Sequence, residues 1–547
     1  AAAPDGRAAA QEPNPIPAGV APPAGPYAPG VDVVHYDVEV GLGHGTPWFA
    51  ARAELTVAVE ADGPVLPLDF TGLQVERVTV EGSPTRNDHT AGVLRIPLKG
   101  QVAGDTVSVM VAYRGVPDDG LILRPNVHGD PAAFVDNWPN RTRFWLPSVD
   151  HPADKATVRY TVHAPARWSV IANGALVGEP TVTPPDALGP PGERRSWVWE
   201  VGVPISSYNM VIGAADLAVE TVGLAACGQA PATRRPDGCV EVTYWVYPQD
   251  VERARPSFRR AAEMVDYFTD LIGPFPFEKL ANVQSATRFG GMENASAIFY
   301  SEQAIAAGRN IEETVSHEIA HQWFGDAVTE ETWHHLWLSE GFASYFGDQF
   351  FEVADGPEVF RRLMEASRQA VVSSEASRRP IYDPSETDLF ALLNSNNYPK
   401  GAWVLHMLRG IVGDEAFFAG IRDYYREHLH SVADTEDFQN VMERASGQEL
   451  DWFFSQWVYR PGFPSFDLDW RYLEEEAALE VTVRQVQPPE WPTFRIPTEV
   501  AVVGAGGASH HSVELLLREE TIRIEGVQEA PTSVVLDPDG WVLKGDG

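Results

Sequence analysis

The sequence predicts a multidomain α+β protein, with an N-terminal all-β domain, a mainly helical middle domain and a C-terminal β-sandwich. Three observations predict it. Short alternating strands separated by turn residues fill the first part of the chain. From about residue 251 the apolar residues fall at helical spacing. After residue 465 the alternation of period two returns. The bounds read as a leader over 1–26, a β domain over 27–214, a mainly helical domain over 215–464 and a β-sandwich domain over 465–547.

Taken in order, residues 1 to about 26 are rich in Ala, Pro and Gly and read as a flexible leader. Val33-Val-His-Tyr-Asp-Val-Glu-Val, Ala53-Glu-Leu-Thr-Val-Ala-Val, Gln74-Val-Glu-Arg-Val-Thr-Val and Val107-Ser-Val-Met-Val-Ala-Tyr alternate as half-buried strands. Ala156-Thr-Val-Arg-Tyr-Thr-Val-His and Trp168-Ser-Val-Ile-Ala continue the pattern. After Val242-Thr-Tyr-Trp-Val-Tyr, a helix is predicted from about Val251 to Leu271. It stops at Gly-Pro-Phe-Pro-Phe, which cannot continue one. A helical block follows, ending near Trp457-Val-Tyr-Arg-Pro-Gly-Phe-Pro. Leu479-Glu-Val-Thr-Val, Thr498-Glu-Val-Ala-Val-Val, Ser512-Val-Glu-Leu-Leu-Leu and Ser533-Val-Val-Leu then read as strands. No internal repeat is present.

The formal net charge of −36 argues against nucleic acid and anionic membrane surfaces as partners. No apolar run approaches the roughly 18 residues that a membrane span needs. Two cysteines, Cys227 and Cys239, lie between strand-like stretches, and a hairpin closed by a disulfide fits them. The chain begins with Ala and shows no basic-then-apolar signal, so a signal peptide has been removed or the chain trimmed. With the cysteine pair, this points to an exported protein, periplasmic, envelope-bound or secreted. Asn140-Arg-Thr and Asn294-Ala-Ser match the weak glycosylation pattern.

The chemistry centres on His317-Glu318-Ile319-Ala320-His321, in a stretch with no Gly or Pro until Gly325. On a helix, residues four apart share a face about 6 Å apart along the axis, so two imidazoles can close on one ion. Zinc in a catalytic site takes three protein ligands and leaves a fourth position for water. His317 and His321 supply two. Glu318 is placed as general base on the attacking water. Glu340, nineteen residues after His321 in Trp-Leu-Ser-Glu-Gly-Phe-Ala, would supply the third from a second, antiparallel helix. A bare carboxylate would otherwise be costly in that apolar segment. The result is a His/His/Glu set of the thermolysin type.

A second motif lies upstream, Arg288-Phe-Gly-Gly-Met-Glu-Asn-Ala-Ser-Ala-Ile-Phe-Tyr300. Gly290 and Gly291 allow close backbone approach to an extended ligand, and Glu293 offers a carboxylate to an ammonium group. Gly-x-Met-Glu-Asn followed by His-Glu-x-x-His-x18-Glu resembles the M1 family of zinc aminopeptidases, the gluzincins. The resemblance extends to Tyr208-Asn-Met-Val-Ile-Gly-Ala-Ala-Asp, Gly273-Pro-Phe-Pro-Phe-Glu-Lys-Leu, Gln322-Trp-Phe-Gly and Tyr398-Pro-Lys-Gly-Ala. It implies a thermolysin-like catalytic domain holding one zinc ion per chain, bound by His317, His321 and Glu340. It further implies Glu293 as anchor for the substrate's free α-amine, with Gly290, Gly291, Met292 and Asn294 along the peptide. Phe289 would line the first side-chain pocket, and Tyr398 would donate its phenol to the oxyanion. The implied substrates are peptides with a free N-terminus; a monomer is expected, though the sequence itself carries no signal for oligomeric state.

Departures from the family pattern also follow. Ser339 stands where Asn often precedes the third ligand. A second amine anchor from the N-terminal domain falls on either Asp136 or Asn137. The chain matches a short, three-domain form without the C-terminal helical domain of longer relatives, which implies a more open site. Rival readings on the same residues are a catalytically silent peptide-binding scaffold, an epoxide hydrolase and a thermolysin-type endopeptidase.

Overall fold

The structure is a computed structural model that describes residues 28–43 and 45–545. The leader predicted for 1–26 lies outside the described residues. The chain divides into two compact units. One runs to Thr332 and adds His428–Val432; the other comprises Trp333–Glu427 and the chain from Ala433 on.

The first unit opens on a nine-stranded sheet. Within it Val31–Leu42 pairs antiparallel with Phe49–Val59 and parallel with Lys155–Pro165. Its buried residues begin on odd positions, Val31 and Val33, and continue on even ones, Tyr36, Val38 and Val40. A register shift between Val33 and His35 explains the change: one extra residue moves every following side chain to the opposite face. A four-stranded sheet and a three-stranded one complete the N-terminal β region.

The unit's next sheet has five strands, in the order Ala218–Ala225, Val240–Val246, Leu280–Ser285, Ala297–Ser301 and Gly291–Met292. Its inner pairs are parallel and its outer pairs antiparallel. The link between the first two strands carries the disulfide Cys227–Cys239. Gly291–Met292 is the other edge, and among the described residues no strand lies beyond it.

Four helices accompany this sheet: α1 (Val251–Phe258), α2 (Ala261–Leu271), α3 (Glu302–Ala306) and α4 (Glu312–Ala320). The single helix predicted over 251–271 is thus two. Pro256 inside α1 has no N–H for the carbonyl of Glu252, and Arg260 leaves helical geometry at φ −101°, ψ 6°. The helical period runs straight through the break, which is why the pattern alone does not reveal it.

The second unit holds α5 (Trp337–Asp355), α6 (Pro357–Val372), α7 (Gly401–Val412), α8 (Asp414–His428, whose last residue belongs to the first unit), α9 (Thr435–Ser446) and α10 (Asp451–Trp457). Gly356, at φ 98°, ends α5, and Pro357 starts α6, the usual pairing of a left-handed stop with a pre-set first turn. Two three-stranded sheets follow: Phe466–Leu473, Ala478–Gln485 and Glu519–Glu525, then Gly507–Leu515, Ile496–Gly504 and Ser533–Leu536. All-β, then helical, then β again is the order that the sequence predicts. Among the described residues no helix is long and apolar enough to cross a membrane.

Candidate active site

Helix α4 contains no Gly or Pro, starts on Glu312 and Glu313, and buries Val315, Ile319 and Ala320. Acidic residues in a first turn suit the positive end of a helix. His317 lies in its last turn. His321, one residue past the end, keeps helical backbone angles of −57° and −24°. The one-turn spacing therefore holds, and the rings meet edge-on at 83°, with centroids 4.7 Å apart and Nε2 atoms 3.1 Å apart. The Nδ1–H of His321 donates to the carbonyl of Phe324 at 3.0 Å. That bond fixes the tautomer and leaves Nε2 as a lone pair. A cation between two such nitrogens turns their repulsion into coordination, so the pair fits a metal ion.

Glu293, Glu318 and His321 are all buried, and each brings a ligand-type atom within 4.8 Å of the others. Glu293 follows the edge strand Gly291–Met292. A Cβ built on Gly291 would stand 2.1 Å from Glu318 Oε1 and 2.5 Å from its carboxyl carbon. Only a glycine lets this strand pass so close over the carboxylate. Gly290 faces open space. Phe289 packs edge-on against Trp138 at 6.1 Å. Met292 and Asn294 are buried, and Asn294 Nδ2 donates to the carbonyl of Met292 at 3.4 Å. Burial first, and then the Glu318 carboxylate, push the Tyr300 phenol well above its usual range.

In the second unit, Glu340 is buried in the first turn of α5. Tyr398 lies in the wide turn Asn396–Lys400 that leads into α7, and its phenol donates to Glu340 Oε1 at 2.6 Å. Two glycines make this meeting possible. A Cβ on Gly341 of α5 would fall 2.8 Å from Gly401 Cα of α7, so the helices touch backbone to backbone. Lys400, between Tyr398 and that contact, is fully buried, and its Nζ has no hydrogen-bond partner among the described residues. Burial pushes the amine down to about 7.

Both N-terminal residues considered as a second amine anchor are held by neighbours. Asn137 donates from Nδ2 to the carbonyls of Met210 and Ser207 at 2.7 and 3.3 Å, and its Oδ1 accepts from Trp145 at 2.9 Å. Asp136 accepts from Arg141 at 2.7 Å and from the backbone N–H of Arg288 at 3.2 Å, with the Arg288 guanidinium 3.5 Å away. Three buried amides carried no signal in the sequence: Asn173, Asn209 and Gln322. Each bonds the turn that holds Glu293. An amide in an apolar stretch has neither period nor charge to mark it.

A helix with paired histidines and an adjacent glutamate, beside a second carboxylate at a sheet edge, is an arrangement of the gluzincin type. Residues 257–457 match the Peptidase family M1 domain. Aminopeptidase N of Streptomyces lividans is 29% identical over 425 residues, 72% of this chain and 46% of that protein. The M1 zinc metallopeptidase of Deinococcus radiodurans is 26% identical with a TM-score of 0.68, over 80% of this chain and 95% of that one. Aminopeptidase A of Legionella pneumophila shares the fold, with a TM-score of 0.80 at 18% identity, over 95% of this chain and 60% of that one. The match to the M1 domain is confined to residues 257–457, and the Deinococcus radiodurans neighbour is an M1 zinc metallopeptidase. The chain spans about half the length of the curated relatives it matches.

Proposed function

We propose that the protein is a zinc-dependent aminopeptidase that removes one residue at a time from peptides with a free N-terminus. The observation that carries this is the convergence of Glu293, Glu318 and His321 within 4.8 Å. A general base and a second carboxylate flank one metal ligand, and a metallopeptidase without need of an amine anchor leaves Glu293 without a task. In this reading His317, His321 and Glu340 hold zinc, on the donor chemistry of each and the His-Glu-x-x-His-x18-Glu spacing. When bound, zinc polarises the scissile carbonyl and makes the attacking water more acidic.

The chain's own residues do the rest. The open edge Gly291–Met292 receives the peptide as an added strand. Glu293 pairs with its ammonium group, which rejects peptides whose N-terminus is blocked or displaced. Glu318 takes the proton of the attacking water and passes it to the leaving amine. Tyr398 donates its phenol to the developing oxyanion. Of the two N-terminal candidates, Asn137 has its amide committed to structural ties, and Asp136, balanced by Arg141 and Arg288, is the one left beside the Gly-rich segment. The Deinococcus radiodurans relative has been solved with a Tyr-Ser-Ala substrate, which supports a short peptide as ligand. The disulfide supports an oxidising compartment.

Paired free and N-acetylated aminoacyl substrates, with and without a zinc chelator, test the proposal. Chelator-sensitive cleavage of the free-amine set alone is expected. Equal cleavage of acetylated substrates would remove Glu293 from its role and indicate an endopeptidase. No cleavage by the zinc-loaded protein would overturn the proposal.

A further inference from the structure

We infer that Gln322 is a positioning residue that sets the distance between the amine anchor Glu293 and the histidine end of α4. The inference rests on the aminopeptidase reading above. Gln322 follows His321 directly and is fully buried. Its Oε1 accepts the backbone N–H of Ser296 at 2.7 Å. Its Nε2 donates to the backbone carbonyl of Glu293 at 2.8 Å and to Asp326 Oδ2 at 2.7 Å. A backbone carbonyl on Nε2 and a backbone N–H on Oε1 leave the amide one orientation only.

The geometry around Glu293 gives this amide its leverage. In an ordinary four-residue turn the first carbonyl accepts the fourth N–H. In Glu293–Ser296 the two ends bond instead to opposite sides of the Gln322 amide, which stands in for the missing bond. Ser296 is held in the left-handed region at φ 62°, a conformation that a non-glycine residue keeps only when its surroundings impose it. The middle of the turn is fixed from the N-terminal β region. Asn209 Oδ1 accepts Ala295 N–H at 3.2 Å, and Asn173 Nδ2 donates to the Ala295 carbonyl at 2.6 Å. Lys279 Nζ donates to the Ser296 carbonyl at 3.0 Å. Those ties hold the turn to the β framework. Gln322 joins it to the chain that carries His321. Asp326, which orients Gln322, belongs to a loop whose carbonyls at 326 and 327 accept from Lys155 at 3.1 and 2.9 Å. Without the Gln322 amide the anchor turn keeps its ties to the β framework and loses its registration against the metal ligands.

The test compares two ligands that differ by one ammonium group, leucine hydroxamate and isocaproyl hydroxamate. Their dissociation constants are measured by calorimetry on the zinc-loaded full chain, with zinc content determined alongside. Wild type binds the amine-bearing ligand more tightly. In Gln322→Met the ratio of the two constants is expected to narrow by about tenfold or more, while the des-amino constant and the zinc content hold. Gln322→Glu keeps an acceptor for Ser296 but loses both donors, and is expected to narrow the ratio likewise. It also decides the matter if Gln322→Met does not fold. An unchanged ratio, equal weakening of both ligands, or loss of zinc from the variants would each overturn the inference. A wild type that binds both ligands equally would instead bring down the amine-anchor reading, and this inference with it.

Discussion

One methyl group placed on Gly291 would occupy the space of the Glu318 carboxylate, since the added carbon falls 2.1 Å from Oε1. The side chain can swing away, so Gly291→Ala is expected to fold and to lose about a hundredfold in kcat, the low end of what a general base supplies. Turnover and calorimetry on one preparation check it; undiminished turnover would take Glu318 out of the chemistry. Tyr398→Phe is expected to lower kcat by about a hundredfold and to change KM little, because an oxyanion donor acts in the transition state. Lys400 makes a pH-dependent prediction. Its amine is held at about 7 against an ordinary 10.5, so between those values the unfolded chain binds the proton and the folded one does not. Stability therefore rises with pH across that window, and below pH 7 the folded state carries a costly buried charge. Lys400→Met is expected to be more stable by about 2–4 kcal/mol at pH 6, with the advantage shrinking toward pH 10. Denaturant melts at three pH values read it, and a constant difference would refute it. At this scale His317, Glu318 and His321 are legible in the sequence because one helical turn makes their geometry. Gln322, Asn209 and Asn173 are not, because their partners are backbone atoms 29, 86 and 122 residues away.

Between elements, contact distance is set by what is missing from glycine. Helices α5 and α7 meet at Gly341 and Gly401, and either Cβ would press to 2.8 Å on the other's Cα. Gly401→Ala is expected to cost about 1–3 kcal/mol, as overpacking does, and to spoil the Tyr398–Glu340 bond beside it. Chemical unfolding together with kcat would register both effects; an unaltered midpoint would mean that the helices separate freely. The disulfide is the second local staple. It closes a loop of sequence separation 12, for which chain entropy assigns about 2–3 kcal/mol. The double variant Cys227→Ser/Cys239→Ser is expected to be weaker by that amount, and to behave as the reduced wild type does. The hairpin was legible from two cysteines flanked by strand text. The interruption of the 251–271 helix was not, since apolar periodicity survives the break and Pro256 gives only a local hint.

For the molecule as a whole, a net charge of −36 means that folding compresses like charges. Raising ionic strength from about 0.01 M to about 0.15 M shortens the screening length from about 30 to about 8 Å. The melting temperature is expected to rise over that range, and a fall would show that attractive ion pairs outweigh the repulsion. The order β, helical, β was legible because period two and period 3.6 are local properties. Strand order was not: the parallel pairing of Val31–Leu42 with Lys155–Pro165 joins stretches that no local pattern links. One consequence of the amide ties concerns chemical ageing. Asn173 precedes Gly174, the sequence in which an unhindered backbone nitrogen most readily attacks the side-chain amide and expels ammonia. Here that nitrogen donates to Ser296 Oγ at 2.7 Å. The amide itself donates to Asn209 and Ala295 and accepts from Val211 and Tyr160. The fold that uses the amide also shields it. Each excursion to the unfolded state removes the shield, and an aspartate or isoaspartate formed there would face two carbonyls that need a donor. Heat damage in this protein should thus accumulate as a mass gain of one deamidation at Asn173, in molecules that no longer refold on cooling.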